Sequence, residues 1–180
     1  MKLIIFSGSA RQGNYTQFVA NFVYQTISQH PEVDAEIVSP QNLQINFTDE
    51  GTQAAPSGYQ EKIKQADGYI IVSPEYNHGY SASVKYMLDM ALPEYNHKPV
   101  AFVGVSKSAF GGVRMIENLV NVVRELGLIA ASIDVYFSNN REEIKDGQIV
   151  DPDKWSSRIN KMLTELLWLA KTLKHGREKM

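Results

Sequence analysis

Two loops hold most of the residues in this chain that could do chemistry. One runs Ser7-Gly8-Ser9-Ala10-Arg11-Gln12-Gly13-Asn14-Tyr15-Thr16, and the other runs Ser73-Pro74-Glu75-Tyr76-Asn77-His78-Gly79-Tyr80. In the first, the hydroxyls of Ser7, Ser9 and Thr16, the Asn14 amide and the Arg11 guanidinium are donors for an oxyanion. Gly8 and Gly13 let backbone N–H groups approach the same spot. No acidic residue occurs from Ser7 through Gln29 to compete with a bound anion. The second loop offers a rigid turn at Pro74, a carboxylate at Glu75, an amide at Asn77 and rings at Tyr76 and Tyr80. That is the chemistry of a site for a flat ring with polar edges. His78 sits within it and could donate to such an edge.

The elements that must position these loops follow from hydrophobic patterning. Leu3 to Phe6 is a short continuous apolar run, the mark of a strand buried on both faces. A helix is predicted from Thr16, as its cap, to about Ser28, with Phe18, Val19, Phe22, Val23 and Ile27 on one face. Its positive end would point at the first loop. Ala35 to Val38 reads as a second strand, ended by Ser39-Pro40, and residues 39 to 58 as irregular. A short helix over Tyr59 to Gln65 precedes a third strand, Gly68 to Val72. A helix over Ser83 to Leu92 and a fourth strand over Pro99 to Val105 follow. The loop Ser106 to Gly112 leads to a helix from Val113 to Leu126, ended by Gly127. Leu128 to Val135 reads as a fifth strand, Ser138 to Asp151 as polar and turn-rich, and Asp153 to Lys174 as a long final helix.

Strands alternating with helices imply an α/β, three-layer sandwich with a five-stranded parallel sheet, in one domain over residues 1 to 180. The expected strand order is 2-1-3-4-5, whose switch point lies between the first and third strands. The two loops leave those strands, so they should sit side by side. A phosphate site beside a planar-ring site points to a mononucleotide with an aromatic head group, and flavin mononucleotide (FMN) fits best.

Composition and absent motifs remove other classes. The chain has 180 residues, 43% apolar and 21% charged, with a net charge of −2. Such a charge gives no field for gripping nucleic acid or an anionic membrane. There is no cysteine, hence no thiolate nucleophile and no cysteine-based metal site. The basic residues Lys171, Lys174, His175, Arg177 and Lys179 read as a helix end and a frayed tail. His30, His78, His97 and His175 lack ligand spacing. Gly8 and Gly13 do not make a Gly-x-Gly-x-x-Gly fingerprint, and no acidic residue ends the second strand to hold a ribose. Neither a Gly-Lys-Ser/Thr P-loop nor a Gly-x-Ser-x-Gly elbow is present. The apolar part of Met-Lys-Leu-Ile-Ile-Phe is too short for a leader, and no segment approaches the ~18 apolar residues of a membrane span. A cytoplasmic location is the expectation.

With these residues in view, the chain resembles the NAD(P)H-dependent FMN reductase family of flavodoxin-like flavoproteins, which includes azo, chromate and quinone reductases. That family carries Gly-Ser-x-Arg-x-x-Ser-x-Asn after its first strand. Here Gly8, Ser9 and Arg11 match, while Asn14 and Thr16 stand where Ser and Asn are usual. Its second pattern is Pro-Glu-Tyr-Asn, a small-residue turn, then Leu-Lys-Asn-Ala-x-Asp. Pro74, Glu75, Tyr76 and Asn77 match, followed by Val84, Lys85, Tyr86, Met87 and Asp89. Ser81-Ala82 replaces the usual Pro-Gly. Gly111, Gly112 and Arg114 meet a third pattern, a glycine-rich loop leading to an arginine. The resemblance covers roughly residues 1 to 135.

The resemblance implies an enzyme that takes hydride from NADPH or NADH onto bound FMN and passes it to a small acceptor: a quinone, an azo compound, a metal oxyanion or free flavin. Phosphate holding falls to Ser9, Arg11, Asn14, Tyr15 and Thr16. Ring holding falls to Pro74, Glu75, Tyr76, Asn77, His78 and Ser106. No side chain need act as an acid or base, because the flavin carries the chemistry. The resemblance further implies a homodimer or homotetramer, with Lys85 and Asp89 tying their helix to neighbours or to a partner subunit. Two other readings stand beside it: a flavodoxin-type electron carrier, for which a charge of −2 is weak, and a flavin-binding sensor without turnover.

Overall fold

The computed structural model describes residues 1–43 and 50–179. Strand β1 spans Lys2–Ser7, β2 Asp34–Val38, β3 Gly68–Pro74 and β4 Pro99–Val105. All pair in parallel, in the order β2-β1-β3-β4, with β5, Ile129–Ala130, beyond β4. The expected order 2-1-3-4-5 is the one found. Helices cover both faces of the sheet: α1, Tyr15–Ile27; α2, Tyr59–Gln65; α3, Ala82–Asp89; α4, Val113–Glu125; and α6, Pro152–Arg177.

The continuous apolar runs are explained by the two cores they feed. Leu3, Ile5, Ile70, Val72, Ala101 and Val103 pack into one core with α1 and α6 residues such as Val19, Val23, Trp155 and Leu163. Their alternates Ile4, Phe6, Tyr69, Ile71, Val100 and Phe102 pack into the other, with Ile63, Val84, Met115 and Leu119. Successive side chains on a strand point to opposite faces, so a strand covered on both sides must be apolar at every position.

Several boundaries differ from expectation. The fifth strand is not continuous: β5 pairs Pro99 and Val100, and a separate β6, Val135–Phe137, pairs Val103 to Val105. Between them, Ala101 and Phe102 of β4 lie opposite Ala131, Ser132, Ile133 and Asp134, so the chain bulges there. This edge of the sheet is open to solvent at Ile129, Ala130, Ser132 and Tyr136, and its polar side chains turn to other side chains, Ser132 donating to Glu165 and Asp134 accepting from the Tyr136 hydroxyl. Helix α1 is capped by Asn14, whose side chain accepts from the Gln17 N–H at 2.7 Å, while Thr16 is buried within the first turn. Helix α3 is shorter than the pattern implied and ends at Asp89.

The segment from Ser138 to Asp151 holds a short helix, α5 (Asn140–Glu143), and a hairpin of β7 (Ile144–Lys145) and β8 (Gln148–Ile149). Asp146 and Gly147 turn it with positive φ angles of 48° and 76°, the Asp-Gly chemistry of a tight hairpin. Of the stretch 39 to 58, residues 44–49 lie outside the described part, and Gly51–Ala54 forms a 3₁₀ turn. The end of α6 is not frayed through its last turns. Lys171 pairs with Glu32, Lys174 lies 3.0 Å from Asp67, and Arg177 donates to the His97 carbonyl at 2.6 Å. Lys85 and Asp89 pair with each other along α3, both half exposed. Among the described residues no helix is long and apolar enough to cross a membrane.

Candidate functional site

The site forms where β1 and β3 end, because they are neighbours and run the same way. Phe6 pairs with Ile71 and Ser7 with Val72. The chain leaves β1 through Gly8, whose N–H donates to the Val72 carbonyl at 2.8 Å. A Cβ at Gly8 would sit 2.4 Å from Val84 Cγ2 and 2.9 Å from the Val72 oxygen, so only glycine lets α3 close over this exit. Ser81, the α3 cap, donates its hydroxyl back to the Gly8 carbonyl and accepts from the Val84 N–H at 3.2 Å. Both loops are thus anchored at their bases.

The first loop arches from Ser9 to Asn14. Ser9 is buried and Arg11 is exposed. Among the described residues Arg11 has no carboxylate partner; its guanidinium lies 5.4 Å from the centre of the Tyr76 ring. Gln41 braces the loop by donating to the Ser9 carbonyl at 3.1 Å and to the Arg11 carbonyl at 3.4 Å. The Asn14 side chain is occupied at both ends, accepting from Gln17 and donating to the Arg11 carbonyl. Asn14 therefore shapes the loop and the helix start, and Thr16 is packed inside, while Tyr15 stands at the surface. The first turn of α1 contains no acidic residue. Its orphan N–H groups and dipole present positive potential to the arch. A cleft of about 280 Å³ flanks the loop on the β2 side, lined by residues including Gly13, Asn14, Gln17, Ser39 and Gln41. A larger hollow of about 420 Å³ at Thr52, Pro56, Gln60, Lys64 and Glu94 includes no residue of either loop and lies apart from the site.

The second loop is a tight hairpin turn. Tyr76 and Gly79 exchange backbone hydrogen bonds, each 2.9 Å long. Asn77 and His78 between them have φ of 50° and 66°, the left-handed pair of a type I′ turn. The Glu75 N–H is also committed, to the Val105 carbonyl at 3.2 Å. In such a turn the two central N–H groups face outward, so Asn77 and His78 carry the donors left for a ligand. The loops meet where the hydroxyls of Ser9 and Tyr76 share a 3.3 Å hydrogen bond. Tyr76 is 38% exposed, so its ring remains available as a wall.

A third loop, after β4, completes the edge. Ser106 is nearly buried; its hydroxyl pairs with that of Ser108 at 2.9 Å, and its carbonyl accepts from the Asn140 N–H. Gly111 lies flat on Tyr136, and a Cβ there would stand 2.7 Å from the Tyr136 backbone. This close approach accounts for Gly111, while at Gly112, with φ of 89°, a Cβ would stand 3.0 Å from the Gly104 Cα. Arg114 then reaches Glu75 at 3.6 Å and covers the exposed ring of Phe110 at 5.2 Å. The Glu75 side chain is only 8% exposed, and its Oε2 is buried without a hydrogen-bond partner. Nearby, burial pushes the Asp134 carboxyl above its usual value, although Tyr136 donates to it at 3.1 Å.

The structure therefore gathers Ser9, Arg11, Tyr76 and the turn Asn77-His78 at one edge, with Pro74 and Glu75 at the base of the second loop and Ser106 at the base of the third. Gln41, Ser81 and Asn118, whose Nδ2 donates to the His78 carbonyl at 2.9 Å, also build it; sequence reasoning did not assign them to the site and noted Ser81 only as a departure from the family pattern. Only Ser81 carried a readable signal, a serine immediately before a helical pattern. The arrangement fits FMN. It has an exposed arginine beside a helix start free of acidic residues, an exposed tyrosine ring next to it, outward N–H donors, and an orphaned buried carboxylate oxygen at the base of the second loop.

Comparison with known proteins agrees. The chain is 29% identical over 161 residues to an NAD(P)H-dependent FMN reductase of Schizosaccharomyces pombe, covering 84% of this chain and 79% of that one. It is 26% identical over 162 residues to a quinone reductase of Escherichia coli K12, covering 84% and 86%. Its fold matches that of FerB, a flavoenzyme NAD(P)H:(acceptor) oxidoreductase from Paracoccus denitrificans, with a TM-score of 0.76 over 94% of this chain and 97% of that one, at 19% identity. The sequence model of the NADPH-dependent FMN reductase family matches residues 1–142, and the chain belongs to that family.

Proposed function

We propose that this protein is an FMN-dependent oxidoreductase that moves reducing equivalents from NADPH or NADH to a small acceptor. The observation that carries the reading is the meeting of Ser9 and Tyr76 at the switch point, beside a helix N-terminus with no acidic neighbour. Ser9, Arg11 and the N–H groups at the start of α1, including those of Tyr15 and Thr16, hold the phosphate, and Asn14 keeps that cradle in shape. Tyr76, Asn77, His78 and the base formed by Pro74, Glu75 and Ser106 orient the ring. Bound FMN supplies the acceptance of hydride from a nicotinamide and its delivery to an acceptor. The protein's part is to stack flat partners against the site and to offer donors where negative charge gathers. Exposed Phe110 and Tyr76 give walls for a second planar molecule.

The acceptor class includes quinones, azo compounds, metal oxyanions and free flavin, and the functional unit is a homodimer or homotetramer working in the cytoplasm. Steady oxidation of NADPH or NADH by the FMN-loaded protein, with a quinone or an azo dye present, tests the proposal. Tight FMN binding with no turnover for either donor would contradict it and leave an electron carrier or a sensor.

A further inference from the structure

Helix α4 touches the ring loop at two side chains one turn apart. Arg114 reaches Glu75 at the base of the loop, and Asn118 reaches its tip: the Asn118 Nδ2 donates to the His78 carbonyl at 2.9 Å and to the Arg114 carbonyl at 2.7 Å. The tip needs a brace. Asn77 and His78 both occupy the left-handed region, which asparagine and histidine enter more readily than most side chains but which still costs energy at two successive non-glycine positions. Inside the turn, the Tyr76–Gly79 pair closes the hairpin but does not fix its tilt relative to the sheet. The contact from α4 to His78 fixes that tilt from outside. It also sets the direction of the two outward N–H groups, because the His78 carbonyl and the Gly79 N–H belong to one planar peptide unit and the neighbouring units follow.

We infer that Asn118 is a positioning residue of the flavin site, acting through the Asn77-His78 turn, with Arg114 and Glu75 as its companion contact at the loop base. This rests on the reading that the turn faces the FMN ring. Asn118 touches neither substrate nor cofactor; its effect passes through the turn. Because it is exposed on a helix, replacement by alanine should leave the fold intact, and alanine is the better helix former.

The test uses Asn118→Ala and the whole chain, with Asn121→Ala, the same exposed neutral side chain further along the helix, as control. Three quantities are read: amide hydrogen exchange in the FMN-free protein, the FMN dissociation constant, and the midpoint potential of bound FMN. In Asn118→Ala, amides 77 to 79 are expected to exchange faster while those of β3 do not change. FMN binding should weaken about two- to tenfold, the scale of one neutral hydrogen bond, and the potential should shift. The control should match wild type in all three. Unchanged affinity and potential would overturn the inference, whatever exchange shows. Weakened affinity with unchanged exchange at 77 to 79 would overturn it too, because the effect would not pass through the turn. A wild-type protein that takes up no FMN would overturn the flavin reading, and this inference with it.

Discussion

The Arg11 guanidinium lies over the Tyr76 ring, 5.4 Å from its centre, although the two residues leave different strands. The contact follows from parallel neighbours ending together at β1 and β3, and it places a permanent cation of the first loop over an exposed ring of the second. Arg11→Ala is expected to weaken FMN binding by about 1.5–3 kcal/mol, the scale of a charged hydrogen bond. Titration of flavin fluorescence measures it. Unchanged affinity would contradict the phosphate assignment of the first loop.

Asn14 separates capping from ligand binding. Its carbonyl oxygen caps α1, so Asn14→Ala should cost about 1 kcal/mol in denaturant unfolding. Asn14→Asp retains a capping oxygen but loses the donor to the Arg11 carbonyl, so it should keep only part of the stability that Asn14→Ala loses. It also puts a negative charge at the cradle, so FMN should bind more weakly while the fold holds. Loss of stability equal to that of the alanine variant would contradict the capping role.

Gly8 admits no side chain. In Gly8→Ala the new Cβ would press on Val84 Cγ2 and the Val72 carbonyl, and backbone on one side leaves little room to yield. Overpacking of this kind costs about 1–3 kcal/mol. Thermal unfolding should show that loss, with FMN affinity falling as the loop is displaced. A variant as stable as wild type would mean α3 can back away from the β1 exit.

Asp67 governs part of the acid stability. Burial pulls its carboxyl upward, but the Lys2 N–H at 2.9 Å and the Lys174 ammonium at 3.0 Å outweigh that and hold it below its usual 3.8. The unfolded chain then binds this proton more readily. The contribution is complete above pH 3.8 and drains away as pH falls through the lower folded value. Asp67→Asn should lower stability at neutral pH and flatten the acid limb of a stability–pH curve. An acid limb as steep as wild type would contradict the linkage.

Much of this architecture was readable in the residues. Strands buried on both faces announce themselves as unbroken apolar runs, which is why Pro99–Val105 agrees with expectation to the residue; the helix Tyr59–Gln65 agrees as well, with Tyr59 and Ile63 one turn apart on its buried face. The strand order followed from alternation, and with it the meeting of the two loops. What escaped was set by contacts distant in sequence. Nothing local to Asn118 marks it as a brace for His78. The divided fifth strand lies on an exposed edge, where Ser132 turns to Glu165 on the last helix, 33 residues on. The basic residues closing α6 looked like a tail because their carboxylates, Glu32 and Asp67, lie far back in the chain. Two local signals were present and not drawn out: the Asp146-Gly147 turn, and Asn14 just ahead of a helical pattern.

The central claim is that paired loops at the β1 and β3 ends hold FMN and that a nicotinamide reduces it there. The most direct measurement is the visible absorbance of the purified protein, reconstituted with FMN and freed of excess, followed by anaerobic addition of NADPH and, separately, NADH. The account expects flavin bands that stay with the protein and bleach on addition of at least one donor. Bands that stay with the protein but persist with both donors would contradict the reductase reading, and bands that leave with the excess flavin would contradict the site itself.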